Sequence, residues 1–328
     1  MILVCGGAGY IGSHMVAYLQ ESNRDVVVID SLIAGHKQAV KNAPLYIGDL
    51  RDADFLNKVF AENNIEAVID FAAFSLVGES MTTPLKYFNN NVSGTITLLE
   101  AMIKHNVNKI VFSSTAAVYG EPKEVPILES ADTLPKNPYG ESKLMVENIL
   151  KWCDTCHGLK YSVLRYFNVA GAHPSASIGE DHNPESHLIP IIAKVALAQQ
   201  DKIVIYGDDY KTNDGTCIRD YIHVMDLVEA HALALKKLDS SGKSHIHNLG
   251  NGKGFSVKEI IETFEKVTGK TIPKEIGQRR PGDPDVLIAS SKTAIKELGW
   301  KPKFASIETI IETAWKWHST HPRGYRTC

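Results

Sequence analysis

Two kinds of apolar pattern alternate through the first half of this chain. Short continuous runs have the length and β-branched content of buried strands: Ile2 to Cys5, Val26 to Ile29, Leu45 to Ile47, Glu66 to Phe71, Lys109 to Phe112 and Tyr161 to Phe167. Between them apolar residues recur at helical spacing: to about Glu21, over Ala53 to Glu62, from Pro84 to about His105, and from Tyr139 to about Cys153. Pro84 suits a first helical position, where its missing N–H would have no partner anyway. Strand and helix in regular alternation predict an α/β fold around a doubly wound parallel sheet.

Past Asn168 the texture changes. Ala170 to Ser186 is rich in Gly, Pro, His and Asp and reads as loop. Leu188 to Gln199 predicts a helix, Ile203 to Tyr206 a strand, Gly207 to Thr216 a polar loop and Val224 to Leu238 a helix. Ile246 to Leu249 is a short strand able to return to the main sheet. Ser256 caps a helix to Thr268, and Ile307 to His318 is the last helix. A second, smaller mixed α/β domain is therefore expected, interleaved with the first. Residues 1–170, with about 223–249 returning, form one; residues 171–222 and 250–328 form the other.

Ligands of parallel sheets lie at the carboxyl ends of the strands. Gly6, Asp30, Asp49, Phe71, Thr115 and Asn168 all fall there. The first of these ends carries Gly6-Gly7-Ala8-Gly9-Tyr10-Ile11-Gly12, which fits G-x-G-x-x-G from Gly7 and G-x-x-G-x-x-G from Gly6. Glycines between a strand and a helix let the backbone turn sharply and approach a pyrophosphate, which then rests on the helix N-terminal amides. The sheet is thus expected to be Rossmann-type. Asp30 ends the second strand, where its carboxylate can take both hydroxyls of an adenosine ribose and would repel a 2′-phosphate. No Arg follows at once, so the pattern favours NAD over NADP. Asp30 could also be a plain strand-end turn residue; the glycines beside it favour the cofactor.

Asn137-Pro138-Tyr139-Gly140-Glu141-Ser142-Lys143 sets a phenol and an ammonium four residues apart, on one face of a helix. A tyrosine ionises near pH ~10, so acid/base work at neutral pH needs a neighbour that favours the phenolate. Lys143 is placed to be that neighbour. The same spacing is common on solvated helices, and the cofactor pattern upstream is what makes this pair a candidate.

The 328 residues suffice for about two domains. A net charge of −3 without basic blocks points away from nucleic acid and membrane surfaces, and no apolar run approaches the ~18 residues of a spanning helix. Met1 leads straight into the first strand with no charged leader. Cys5, Cys153, Cys156, Cys217 and Cys328 make no disulfide framework, so a cytoplasmic location is expected. Cys153-Asp154-Thr155-Cys156-His157 has haem-attachment spacing, but in a chain without an export signal it reads as two ordinary cysteines. His245 and His247 share a strand face, and Asp181, His182 and His187 cluster in a loop. Neither group has a full ligand spacing, so no metal is expected.

With Gly6–Gly12, Asp30, Thr115 and Tyr139-x-x-x-Lys143 assembled, the chain resembles the extended short-chain dehydrogenase/reductases, and more closely the UDP-glucose 4-epimerases, over essentially its whole length. Further motifs carry the likeness: Val77-Gly78-Glu79-Ser80, Asn90-Asn91-Val92, Phe112-Ser113-Ser114-Thr115-Ala116-Ala117-Val118-Tyr119-Gly120 and Leu164-Arg165-Tyr166-Phe167-Asn168. Asp214-Gly215-Thr216, Arg219-Asp220-Tyr221-Ile222-His223-Val224 and Arg279-Arg280-Pro281-Gly282-Asp283 are the specific ones, since many reductases share the first set.

The resemblance implies an isomerase of galactose metabolism that interconverts UDP-galactose and UDP-glucose on tightly held NAD. Tyr139 as phenolate would take the proton of the sugar 4′-hydroxyl. Hydride would pass from C4′ to NAD, the 4-keto sugar would turn over, and hydride would return to its other face. Thr115 would hydrogen-bond the 4′-oxygen and Lys143 the nicotinamide ribose. With Gly6, Gly9, Gly12, Thr115, Tyr139 and Lys143, the residues Tyr10, Ile11, Asp30, Asp49, Leu50, Phe71, Ala72, Ala73, Asn90 and Phe167 would line the NAD site. Thr115, Tyr139, Asn168, Leu188, Tyr206, Arg219, Arg280 and Asp283 would hold the UDP-sugar. The two guanidiniums suit a diphosphate through their planar fork; read alone they are better taken as surface ion-pair partners. A homodimer joined by the helices around Pro84–His105 and Tyr139–Cys153 is also implied.

Some positions depart from familiar members. Ser75 stands where some have Lys near the cofactor, Ser31 where Asn follows the ribose-binding acid, and His187 where Asn precedes Leu188. Leu287 falls at a variable position thought to gate 2′-N-acetyl sugars, and its intermediate size leaves UDP-N-acetylhexosamines open as substrates. A related sugar 4,6-dehydratase would need carboxylates just after Thr115, where Ala116 and Ala117 stand. A dehydrogenase of a small carbonyl would not need the two arginine motifs, and a non-catalytic NAD sensor would not need Tyr139 and Lys143.

Overall fold

The first strand, β1 (Ile2–Cys5), has only apolar side chains, and its pleat divides them between two cores. Leu3 and Cys5 enter one, Ile2 and Val4 the other. A strand buried on both faces belongs in a parallel sheet with helices on either side. The computed structural model, which describes residues 1–280 and 283–326, has that arrangement. Pro281 and Gly282 of the Arg280 motif, and Cys328, lie outside the described residues.

The chain continues through α1 (Tyr10–Glu21), β2 (Val26–Asp30), β3 (Leu45–Ile47), α2 (Ala53–Glu62) and β4 (Ala67–Asp70). Helices α3 (Val77–Thr82), α4 (Pro84–Tyr87) and α5 (Gly94–Lys104) lead to β5 (Lys109–Thr115), α6 (Pro138–His157) and β6 (Lys160–Tyr166). Then come β7 (Asn168–Ala170), α7 (Leu188–Ala196), β8 (Ile203–Tyr206), β9 (Ile218–His223), α8 (Val224–Ser241) and β10 (His245–Leu249). The chain closes with β11 (Gly254–Ser256), α9 (Val257–Thr268), β12 (Lys274–Gly277), β13 (Val286–Leu287), α10 (Lys292–Leu298) and α11 (Ile307–Thr320).

Seven strands form one parallel sheet in the order β10-β6-β5-β4-β1-β2-β3, so the expected return of the 246–249 strand is observed beside β6. The order reverses between β1 and β4, which opens a crevice at their carboxyl ends. One face packs on α2, α5 and α6 through Phe60, Met102 and Leu150, the other on α1 and α8 through Met15 and Leu227. A third core joins α7, α9 and α11 through Ile192, Phe264 and Ile310. Beside it β9 pairs with β7, β11 and β13, and β8 with β12.

Three differences from the expected elements have local causes. The helix from Pro84 is α4, a π-helical turn over Phe88–Ser93, and then α5. Asn91 sits in that wide turn. Its carboxamide accepts from Phe74 N at 2.9 Å and donates to Phe74 O and Ser142 Oγ, each at 3.0 Å. Helix α6 begins at Pro138 behind an Asn137 cap onto Gly140 N (2.8 Å), and it runs past Cys153 to Gly158, whose positive φ of 69° ends it. Strand β9 was not expected, because Arg219 and Asp220 interrupt its apolar pattern. Asp220 is buried there because its carboxylate accepts from the amides of Asn251, Gly252 and Ala289 at 2.8–3.1 Å.

Candidate active site

The glycine turn stands at the β1/β4 crevice. Gly6 has φ +71°, and a Cβ there would lie 2.8 Å from Ala72 N at the end of β4. A Cβ on Gly12 would lie 2.1 Å from Gly6 O, so only glycine lets α1 start this close to the strand. Gly9 caps α1 without a side chain. The first amides of the helix therefore face outward with its positive dipole end, which suits an anionic diphosphate.

Asp30 is fixed beneath this turn. Its Oδ2 accepts from Ala8 N at 2.9 Å and its Oδ1 from Leu32 N at 2.8 Å. Burial raises its pKa, while the amides of Leu32, Ala8 and Gly9 pull it back. Each oxygen keeps a second lone pair, so ribose hydroxyls can still be accepted.

The other residues expected at the cofactor differ in what they offer. The Tyr10 hydroxyl donates to Gly171 O at 2.6 Å, so its ring is committed to that loop. Ile11 packs on the second core. Asp49 receives Arg51 Nε at 2.9 Å, and that guanidinium holds its carboxyl low. Leu50 is turned into the first core. Phe71 lies against His231 with ring centroids 4.7 Å apart. Ala72 N donates to Asp70 Oδ1 at 3.0 Å, and Asn90 Nδ2 to Asn91 Oδ1 at 3.0 Å. Ala73 is half-buried, and Phe167 packs with Val118, Tyr119 and Ile127.

Thr115 ends β5, where its Oγ1 accepts from Ala117 N at 3.1 Å and leaves its O–H free to donate elsewhere. Tyr139 is the second residue of α6, and burial raises its pKa while the Thr115 hydroxyl pulls it back. Lys143 follows one turn later. Its Nζ donates to Ser113 O at 2.9 Å and lies 4.7 Å above the Phe112 ring. Burial lowers its pKa to about 8, against the opposing pull of Asp70 and Glu147. The protein's own groups thus bias Tyr139 towards the protonated phenol, so its phenolate calls for a further positive charge at the site.

Helix α6 is held by a buried network that sequence reading did not foresee. Glu147 accepts from Ser114 Oγ at 2.6 Å and from Arg165 Nε and Nη2 at 3.0 and 2.6 Å. Arg165 also donates to the Tyr119 hydroxyl at 2.9 Å, which donates to Asn248 Oδ1 at 2.6 Å. Arg165 and Asn91 were visible only inside quoted motifs, with no role.

Several of the second-half residues also cluster. Arg219 on β9 pairs with Asp283, whose Oδ2 accepts from the Tyr210 hydroxyl at 3.1 Å. The Arg280 guanidinium lies 4.0 Å from the Tyr206 ring centroid, and among the described residues it forms no ion pair. Arg279 instead pairs with Asp285 at 2.6 Å over the Tyr210 ring. Asn168 is exposed at the start of β7, in register with Tyr221 of β9, while Leu188 opens α7 against the third core. Leu287 is in register with Arg219 and packs near Phe167.

A parallel sheet with a glycine turn at its reversal point, and a Tyr-x-x-x-Lys helix beside the same strand ends, defines a dinucleotide-dependent enzyme of the short-chain dehydrogenase/reductase kind. Residues 2–250 match the NAD dependent epimerase/dehydratase family, and the chain belongs to that family. It is 58% identical over 326 residues to the UDP-glucose 4-epimerase of Halalkalibacterium halodurans, covering 99% of this chain and 98% of that one. It is similar to a solved UDP-glucose 4-epimerase at TM-score 0.98 and 55% identity over 99% of both chains. It is also similar to that of Bifidobacterium longum in complex with NAD+ and UDP, at TM-score 0.94 and 42% identity over 99% of both.

Proposed function

We infer that this chain is an NAD-dependent isomerase that interconverts UDP-galactose and UDP-glucose. The observation that carries the reading is end-to-end similarity to proteins named UDP-glucose 4-epimerase. NAD, when bound, would accept hydride from sugar C4′ and return it to the opposite face of the 4-keto sugar. The glycine turn and α1 amides would hold its diphosphate, and Asp30 its adenosine ribose. Tyr139 removes the proton of the 4′-hydroxyl and later returns it. Thr115 donates to the 4′-oxygen, a role supported by the engagement of its own oxygen with Ala117 N. Lys143 holds the nicotinamide ribose, and its charge with that of the cofactor favours the phenolate.

Arg219 and Arg280 take the UDP diphosphate, with Asn168, Leu188, Tyr206 and Asp283 completing the substrate contacts. The Asp283 pair keeps the Arg219 fork oriented and must open or share it when substrate arrives. In this reading residues 1–170 and 223–249 hold NAD, and residues 171–222 and 250–328 hold the UDP-sugar. Exposed Leu85 and Ile96 on α4 and α5, and Met145 and Trp152 on α6, support a homodimer joined by the helices around Pro84–His105 and Tyr139–Cys153. Free Cys5, Cys153, Cys156 and Cys217 fit a reducing cytoplasm, and no helix among the described residues is long and apolar enough to cross a membrane.

The test is to incubate purified protein with UDP-galactose and no added NAD, following UDP-glucose by chromatography. Conversion that disappears in Tyr139→Phe is the expected result. No conversion by protein shown to contain NAD would overturn the substrate assignment. UDP-N-acetylglucosamine assayed alongside reads the breadth that Leu287 permits.

A further inference from the structure

Glu180, His182, Glu185 and His187 each bring one donor atom to a common point, with all four within 4.8 Å of one another. They come from one eight-residue stretch, Glu180-x-His182-x-x-Glu185-x-His187. Both carboxylate side chains are buried, at 4% and 3% exposure, whereas the imidazoles are partly open to solvent. Hydrogen bonding accounts for only part of the cluster. Glu185 Oε1 accepts from Ser186 N, His187 N and His187 Nδ1 at 2.8–3.1 Å. Glu180 Oε1 lies 2.8 Å from His187 Nδ1 and 3.2 Å from His182 Nδ1, yet it and His182 Nδ1 are buried without an aligned hydrogen bond. A buried carboxylate oxygen and a ring nitrogen that face each other out of alignment are the donors a metal ion would satisfy.

We propose that these four side chains form a structural binding site for a divalent transition metal of the zinc class. Two imidazoles and two carboxylates are a neutralising, four-coordinate set for such an ion. Calcium and magnesium favour all-oxygen shells, so they fit it poorly. Lys194, Arg323 and Arg326 balance the carboxylates of Glu180, Asp181 and Glu185 around the cavity of about 190 Å³, so affinity must come from coordination rather than from net charge. The site ties several elements together. The His182 ring stands edge-on to Tyr10 at 6.2 Å, Trp317 Nε1 donates to Glu180 O at 2.9 Å, and His187 directly precedes α7. The ion would clasp the 180–187 loop between the start of α1, the start of α7 and the end of α11.

Tag-free protein, stripped with EDTA and dialysed, is titrated with ZnCl2 by calorimetry and with CoCl2 by visible absorption. One Zn2+ per chain with a Kd below about 1 μM, and the absorption of tetrahedral Co2+, are expected. His182→Gln with His187→Gln should abolish both, while His245→Gln with His247→Gln should leave both intact. Should the first double variant fail to fold, His187→Gln alone, at a half-exposed ring, is expected to weaken binding at least ~10-fold. No stoichiometric binding by wild type, or binding by the His182 and His187 variants equal to that of wild type, would overturn the proposal and leave the cluster as plain ion pairs.

Discussion

The Arg165 guanidinium meets both carboxylate oxygens of Glu147, at 3.0 and 2.6 Å, with both side chains at or below 4% exposure. Glu147 stands one turn beyond Lys143 on α6, and Arg165 stands on β6, so the pair fixes how the helix carrying Tyr139 is rotated against the sheet. Arg165→Met would leave a buried carboxylate with only Ser114 as partner. It is expected to cost about 3–5 kcal/mol in urea unfolding. Adding Glu147→Leu should recover most of that loss, because the isolated charge is then gone.

Tyr139→Phe removes the proton-transfer group and keeps the ring. A fall in kcat of about 100- to 10,000-fold is expected, with the KM for UDP-galactose little changed and NAD still bound after purification. Steady-state kinetics together with the cofactor content of the denatured protein check it.

Lys143 makes an opposite demand on stability. Its pKa is lowered from 10.5 to about 8 by burial, so between those values the unfolded chain binds more protons than the folded one. Stability from this group therefore rises with pH through that window, and its burial costs about 3 kcal/mol below pH 8. Lys143→Met should be about 1–3 kcal/mol more stable than wild type at pH 7, lack the alkaline rise, and be inactive. Urea midpoints at pH 7 and pH 10 distinguish this from a simple loss of fold.

Gly12→Ala places a methyl group on Gly6 O. The turn must open to admit it, and protein purified from this variant should retain NAD at least ~10-fold less well. The absorbance ratio at 260 and 280 nm of wild type and variant reads that directly.

The first half of the fold was legible because its central strands, β1, β2 and β4, are buried on both faces and advertise themselves as nearly unbroken apolar runs. Tyr139 and Lys143 were legible as a spacing. What holds them was not, since Arg165 meets Glu147 from another element, and Asn91 reaches back to Phe74 from a π turn that no apolar period marks. The direction of the Lys143 ammonium, towards the Ser113 carbonyl, also needed the packed strand. Strand β9 stayed hidden behind Asp220, a charge whose three amide partners lie far along the chain. In the 180–187 loop, sequence reading grouped Asp181 with His182 and His187. Asp181 instead accepts from Tyr325 N at 3.0 Å, and it is Glu180 and Glu185 that face the imidazoles.

Strand β6 ends at Tyr166, but its outer neighbour β10 begins only at His245. During synthesis at ~5–20 residues per second, the nascent sheet carries an unpaired edge for roughly 4–16 s. That edge presents unpaired backbone N–H and C=O groups to any extended segment from another ribosome. The order of genetic information thus sets a vulnerable interval in the birth of this protein. A chain truncated before His245 never leaves it, and is expected to collect in the insoluble fraction.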